Sequence, residues 1–260
     1  MQQYMVDAFA DKLFTGNQAA ICVMDRWPSD GLMQKIAAEN NFSETAFTVK
    51  NGDHYDLRWF TPATEIDLCG HGTLGTAFVL FNYYEQSATE LNFETKSGQL
   101  SVKRVDDLFQ LNFPSYQLKE VPVTEMMTRA FGAKPQKAYL ARDLLAVFDD
   151  PAIVTQMRPD YGLLQKLDGA AQSVTAPGHD FDCISRVFAP KLGMEEDPVT
   201  GSTHCMIGPY WGQQLHTDHL SAYQASKRGG KLDLTLQGKR VLIAGPAVLY
   251  ATCDILPDGF

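Results

Sequence analysis

The 260-residue chain lacks any run of eighteen apolar residues. Its opening, "MQQYMVDAFADKLFTGN", lacks a charged stretch followed by an apolar one, so neither membrane spanning nor export is expected, and the protein reads as cytoplasmic. There is no block of Lys and Arg, and 22 basic against 31 acidic residues leave a formal charge of -9. A field of that sign repels nucleic acid and anionic membranes, which leaves a small molecule as the expected partner. Cysteine is scarce: Cys22, Cys69, Cys183, Cys205 and Cys253 are odd in number and scattered, without C-x-x-C spacing. That argues against a disulfide framework or a zinc knuckle, and most of the five are expected to be small buried hydrophobes. No low-complexity linker or charge block divides the chain, so any boundary has to come from pattern.

The pattern present is an internal repeat. "RWFTP" at Arg58 to Pro62 returns 128 residues later as "RVFAP" at Arg186 to Pro190. Each copy follows an alternating strand, "YDLRWF" or "FDCISRVF", and leads through an acidic loop, "ATEIDL" or "KLGMEED", to a glycine-bearing turn. The turns are "CGHGT" and "VTGST". Helix-length segments follow, "TLGTAFVLFNYY" and "HCMIGPYWGQQL", the second carrying Pro209, and then strands joined by Gly-rich or Asp-rich turns.

"CGHGTLG" contains a literal G-x-G-x-x-G at Gly70, Gly72 and Gly75, with Glu90 twenty residues beyond Gly70. A dinucleotide site needs a buried parallel strand before that turn, whereas "PATEIDLC" carries Pro62, Glu65 and Asp67. The segments after the helix alternate like half-exposed antiparallel strands, which also argues against nucleotide binding. No nucleotide, flavin, pyridoxal phosphate or metal requirement is expected. The one candidate metal set, His216, Asp218 and His219 in "LHTDHL", reads as exposed connection residues. Both glycine turns instead expose unpaired N–H groups at a helix start, where an anion is favoured. Ordinary capping by Thr73, Ser202 or Thr203 is the competing reading.

"VDAFADKLFTGNQAAICV", "NFSETAF", "RWFTPATEIDLCGHGTLG" and "EEDPVTGST" resemble the signature segments of the PhzF-like phenazine biosynthesis family, whose structural relatives include diaminopimelate epimerase and proline racemase. The departures are Gly72 and Gly75, where alanines are common, and a shorter stretch between Phe113 and Ala170. The resemblance implies an α+β protein of two similar lobes, each a curved antiparallel sheet or barrel around a central helix. The lobes are expected at about residues 1–115 and 116–245, with the last strand, 246–260, returning to the first lobe. A cofactor-free active site between the lobes and a homodimer are further implications.

The family's proton-carrying glutamate falls on Glu44, its histidine on His71, its aspartate on Asp197 and its serine on Ser202. Gly70, Gly72, Thr73, Gly201 and Ser202 become the expected carboxylate-binding set. The family's best-understood member isomerises a dihydro-hydroxyanthranilate. The implied activity is a cofactor-independent isomerisation of a small carboxylate, with one glutamate shuttling the proton. A catalytically silent binding protein of the same fold and a two-base amino-acid epimerase or racemase are the alternatives.

From the residues alone Glu44 reads as a solvated acid at a strand end; in a closed cleft, burial would raise its pKa toward that of a general base. His71 reads as a group that polarises a substrate or positions Glu44, or else as a turn cap. Asp197 reads as a ligand for a substrate amino or hydroxyl group, or as an Asx turn before Pro198. Gln172 stands fourteen residues before Arg186, as Glu44 does before Arg58, so a base is expected in one half only. Cys69 has no cysteine in the matching turn, and Cys205 comes one helical turn too late.

Overall fold

In the computed structural model, which describes residues 1–256, the chain begins with β1 (Gln2–Ala8), β2 (Asn17–Met24), α1 (Asp30–Asn40), β3 (Glu44–Asn51), β4 (His54–Phe60) and β5 (Glu65–Ile66). It continues through α2 (Gly70–Tyr83), β6 (Glu90–Thr95), β7 (Gly98–Val105) and β8 (Leu108–Pro114). Residues Met1–Asn112 and the described residues from Ala244 onward form one compact unit, and Phe113–Ile243 a second. In the first unit β1–β2, β3–β4, β4–β5, β6–β7 and β7–β8 are antiparallel, but β2–β3 and β4–β6 are parallel. Parallel neighbours need a crossover rather than a tight turn, and α1 and α2 supply the two crossovers. The expected antiparallel sheet is therefore corrected to a mixed one.

Helix α1 starts where the Ser29 hydroxyl accepts from Leu32 N at 3.3 Å and stops at Asn41, in the left-handed region at φ 51°. Met33, Ile36 and Ala37, spaced as one helical face, pack with Phe47 and Phe60, whose rings meet edge to face at 5.5 Å. Six consecutive residues of β3, from Glu44, are buried, because α1 covers one of its faces and α2 packs on the strand as well. Asn40 at the end of α1 donates to Thr45 at 3.0 Å, while the alternate residue Glu44 meets His71 of α2. Helix α2 buries ten of its 14 residues against strands that include β1, β2, β3 and β7, and so has no polar face of ordinary width.

The second unit follows the same plan. It runs through β9 (Lys119–Val121), α3 (Glu125–Phe131), β10 (Lys137–Leu140), β11 (Leu144–Val147), α4 (Pro151–Gln156), α5 (Tyr161–Leu164) and β12 (Gln172–Pro177). Then come β13 (Cys183–Phe188), β14 (Glu196–Asp197), α6 (Gly201–Leu215), β15 (His219–Gln224), β16 (Gly230–Gln237) and β17 (Arg240–Gly245). The parallel pairs are β11–β12, crossed by α4 and α5, and β13–β15, crossed by α6. Pro209 inside α6 cannot donate to Cys205 O, and the Tyr116 N–H takes that carbonyl instead at 3.1 Å. The last strand, β18 (Ala247–Asp254), lies antiparallel along β1 in the first unit; of the stretch 246–260, residues 257–260 lie outside the described residues. Among the described residues no helix is long and apolar enough to cross a membrane.

The repeated Arg and Phe acquire a physical cause. Arg58 makes a bidentate pair with Glu65 at 2.7 and 2.8 Å, and Arg186 an equivalent pair with Glu196 at 2.7 and 2.9 Å. Each guanidinium also lies over the phenylalanine two residues on, Phe60 at 5.2 Å and Phe188 at 5.0 Å. The clamps align the halves, and the strand register refines the alignment: Thr45 faces Phe60, and Gln172 faces Phe188. Gln172 is thus the counterpart of Thr45, and the position matching Glu44 belongs to Ala171. Counting across the loop, whose length differs between the copies, shifted the earlier equivalence by one.

His204 of α6 is fully buried; its Nδ1 lies 2.8 Å from Thr200 O, and burial pushes its pKa down to about 4. In the unfolded chain the imidazole titrates near ~6.5. Between those values the unfolded state binds a proton that the folded state does not, so stability is lost as pH falls through this window, by on the order of 3 kcal/mol. Urea midpoints measured from pH 7 to 4.5 should fall for the native chain and fall less for His204→Gln. Equal slopes for the two proteins would show that His204 does not carry the effect.

Candidate active site

The start of β3 and the first turn of α2 bring four side chains together. Cys69 is the N-cap of α2, with φ -140° and ψ 114°, and its Sγ accepts from Gly72 N at 3.2 Å. His71, 6% exposed, places Nε2 2.8 Å from Glu44 Oε2, and Glu44 is itself 7% exposed. Nδ1 of the same ring lies 3.1 Å from Asn17 Nδ2 and 3.6 Å from Cys69 Sγ. The ring is thus held between the Asn17 side-chain amide, which faces Nδ1, and the Glu44 carboxylate, which faces Nε2. Burial alone would push the His71 pKa down, but the Cys69 sulfur and the Glu44 carboxylate outweigh it and hold the imidazole well above its ordinary value. Burial, reinforced by Glu44, pushes the Cys69 thiol up.

The start of α6 in the second unit has different chemistry on the same frame. Thr200 is its N-cap but makes no side-chain cap; its hydroxyl donates instead to Asp197 Oδ2 at 2.5 Å. Ser202 is half-buried and its Oγ accepts from Arg142 NH1 at 2.7 Å. Asp143, with no exposed surface, accepts from Thr203 Oγ1 at 3.1 Å and from Ala171 N at 3.2 Å, and Arg142 NH1 lies 3.4 Å away. Buried Gln224 donates to Asp197 O at 2.7 Å and accepts from Thr200 N at 2.8 Å, tying β15 to the helix start.

The family profile of phenazine biosynthesis-like proteins matches residues 6–253 of this chain. The chain belongs to that family. An uncharacterized isomerase of Pseudomonas aeruginosa is 44% identical over 253 residues, covering 97% of both chains. The crystal structure of a PhzF family protein from Enterococcus faecalis is 48% identical and superposes with a TM-score of 0.95 over 96% of this chain and 97% of its own. A probable proline racemase from Agrobacterium radiobacter, 11% identical with a TM-score of 0.67, covers 100% of this chain and 94% of its own and shares the fold. The protein is therefore an isomerase-family enzyme with an α+β, diaminopimelate epimerase-like fold.

Several expectations change at the level of the residues. Of the two readings of Glu44, the desolvated acid is the one found and the solvated strand-end acid is not. Gly70, Gly72, Gly75 and Gly201 lie within helices, so the two glycine turns are first helical turns and Cys69 and Thr200 hold the cap positions. Thr73 does not cap: its hydroxyl donates back to Cys69 O at 2.5 Å. No metal-ligand cluster stood out in sequence, yet Glu44, Cys69 and His71 place one donor atom each within 4.8 Å of one another. His216 is instead the left-handed C-cap of α6, and His219 Nδ1 meets Thr235 Oγ1 at 3.1 Å. Cys22, Cys69, Cys183 and Cys205 are buried and Cys253 is half-buried; burial pushes Cys183 and Cys205 up to about 12, as inert thiols require.

Sequence reading missed Asn17, Arg142, Asp143 and Gln224. Asp143 carried a usable signal: an acid directly before the apolar run "LLAVF" repeats the placement of Glu44 before "TAFTV".

The glycine motif makes a clear mutational prediction. A Cβ at Gly72 would lie 2.9 Å from both Cys69 Sγ and Trp59 Cδ1, whereas one at Gly75 would meet Ile21 Cδ1 at 3.4 Å and Val6 Cβ at 3.7 Å, close to ordinary contact. Gly75→Ala should stabilise by up to about 1 kcal/mol through helix propensity. Gly72→Ala should destabilise by roughly 1–3 kcal/mol through overpacking. Denaturant unfolding of the two variants checks this, and the reverse order would overturn it.

Proposed function

We propose that this enzyme isomerises a small carboxylate-bearing substrate, a cyclic amino or hydroxy acid being the class favoured, without a cofactor, and that Glu44 alone carries the proton. The observation that supports this most strongly is the buried Glu44–His71 pair at 2.8 Å. A carboxylate removed from water and held beside an imidazole is poorly solvated, which suits it to abstract a proton from carbon. The C–H electron pair delocalises into the adjacent unsaturated system. The protonated Glu44 then returns its proton to a different carbon, so that no atom is gained or lost. His71, linked to Asn17 and Cys69, positions the carboxylate and balances its charge while it is ionised.

Ser202 and the first-turn amides Gly201 to Thr203 are assigned to the substrate carboxylate, with Gly70, Gly72 and Thr73 in the same supporting role at α2. Thr200 turns to Asp197 instead of capping, which leaves the first-turn N–H groups of α6 without a side-chain acceptor from the cap. Because Arg142 donates to Ser202 Oγ, the Ser202 hydroxyl hydrogen is available to the substrate. Asp197 is assigned to a substrate amino or hydroxyl group. Ala171 at the position matching Glu44, and Thr200 at the position matching Cys69, favour one base over a two-base epimerase. The enzyme is read as a cytoplasmic homodimer whose partner is a small molecule, not nucleic acid or membrane.

A screen of small cyclic and amino-bearing carboxylic acids in deuterated water, followed by NMR for exchange at carbon, identifies the substrate class. With a substrate in hand, Glu44→Gln should lower kcat by about 100-fold or more while substrate binding survives. Ser202→Ala should mainly raise KM, because it contacts the carboxylate in the ground and transition states alike. Full turnover in Glu44→Gln, or a greater loss in Cys69→Ala, would replace this mechanism with a thiol-based one.

A further inference from the structure

The Glu44, His71 and Cys69 cluster contains more than a general base needs. It joins a carboxylate oxygen, an imidazole nitrogen and a thiol sulfur, all buried and within 4.8 Å of one another. Nε2 of His71 stands 2.8 Å from Glu44 Oε2 and 3.9 Å from Cys69 Sγ. A tetrahedral Zn2+ with bonds of about 2.0–2.3 Å spaces its donors about 3.3–3.6 Å apart, so the present spacings bracket what the ion requires. Glu44 Oε2 is buried and has no hydrogen-bond donor aligned on it, although it faces the imidazole. A buried carboxylate oxygen in that condition gains more from an added cation than a solvated one does.

We infer that Glu44, His71 and Cys69 form a binding site for Zn2+ and that zinc occupancy inhibits the enzyme. The donor set selects the ion. Thiolate and imidazole suit Zn2+, whereas Mg2+ and Ca2+ demand oxygen ligands that this cluster does not supply. On binding, the thiol proton of Cys69 and the Nε2 proton of His71 leave to solvent. Zn2+ then takes the sulfur, nitrogen and oxygen lone pairs, and the two anionic ligands neutralise its charge. Three protein ligands leave the fourth position for water. The inhibition rests on the reading of Glu44 as the proton carrier, since a carboxylate whose lone pair is held by zinc cannot abstract a proton; the binding itself does not rest on that reading.

The test uses the full chain, stripped with a chelator and titrated with Co2+ as a spectroscopic probe and with Zn2+ against a chromogenic competitor. One equivalent of Co2+ should give a near-ultraviolet thiolate-to-metal band and visible bands of tetrahedral intensity. Cys69→Ser should abolish the near-ultraviolet band and weaken Zn2+ binding by about 100-fold or more. His216→Asn should change neither. Circular dichroism confirms that Cys69→Ser is folded; if it is not, Glu44→Gln replaces it, with Zn2+ affinity expected to fall at least about 10-fold. No thiolate band at millimolar Co2+, or an unchanged band in Cys69→Ser, overturns the site. Zinc that binds through Cys69 yet leaves carbon-proton exchange intact overturns the inhibition and the role given to Glu44, and leaves the metal site standing.

Discussion

Glu44 and His71 have side chains only 9% and 7% exposed, and a charge taken so far out of water costs several kcal/mol unless another charge and hydrogen bonds offset it. That requirement organises the surroundings. The imidazole needs a partner on its other nitrogen, and Asn17 at the start of β2 provides it. His71 sits in the first turn of α2, which the Cys69 sulfur caps by accepting from Gly72 N. Gly72 is then forced, because a Cβ there would meet both the capping sulfur and Trp59. The carboxylate gains in turn from lying beside the positive end of the helix dipole.

The two halves show how one frame carries two chemistries. Both use an Arg–Glu clamp under a helix start, both cross between parallel strands through a buried helix, and both bury polar groups in the first helical turn. They differ in where the acid sits. In the first half Ala19 of β2 stands beside Glu44 of β3. In the second, one residue before the paired Leu144 and Gln172, Asp143 stands beside Ala171. The acid has moved to the neighbouring strand. There it accepts from Thr203 and from a backbone N–H and is screened by Arg142, so it is committed to holding the turn. Glu44 makes no such commitment to the backbone in its ion pair with His71, and this asymmetry favours placing the chemistry in the first half.

The repeat, the order of strands and helices and the family to which the signature segments belong were legible in the sequence. They rest on local periodicity and on residues close together along the chain. Parallel pairing was not legible, because a half-exposed strand alternates in the same way whether its neighbour runs with it or against it; only the crossover helices decide. The extent of α2 and α6 was misread for a related reason. Glycines at a helix start resemble a turn until packing shows that Gly72 is there for close approach and not for a positive φ.

By itself the sequence determined which residue types were present and which segments each half would build, because those follow from side-chain chemistry and local spacing. Tertiary structure alone decided that Glu44 would be buried and not solvated, that Ala171 and not Gln172 would match it, and that a sulfur, an imidazole and a carboxylate would converge within 4.8 Å. Each of these depends on strand register and on the seating of a helix against a sheet. Those long-range constraints are set by the packing of the whole unit, and no single stretch of the chain encodes them.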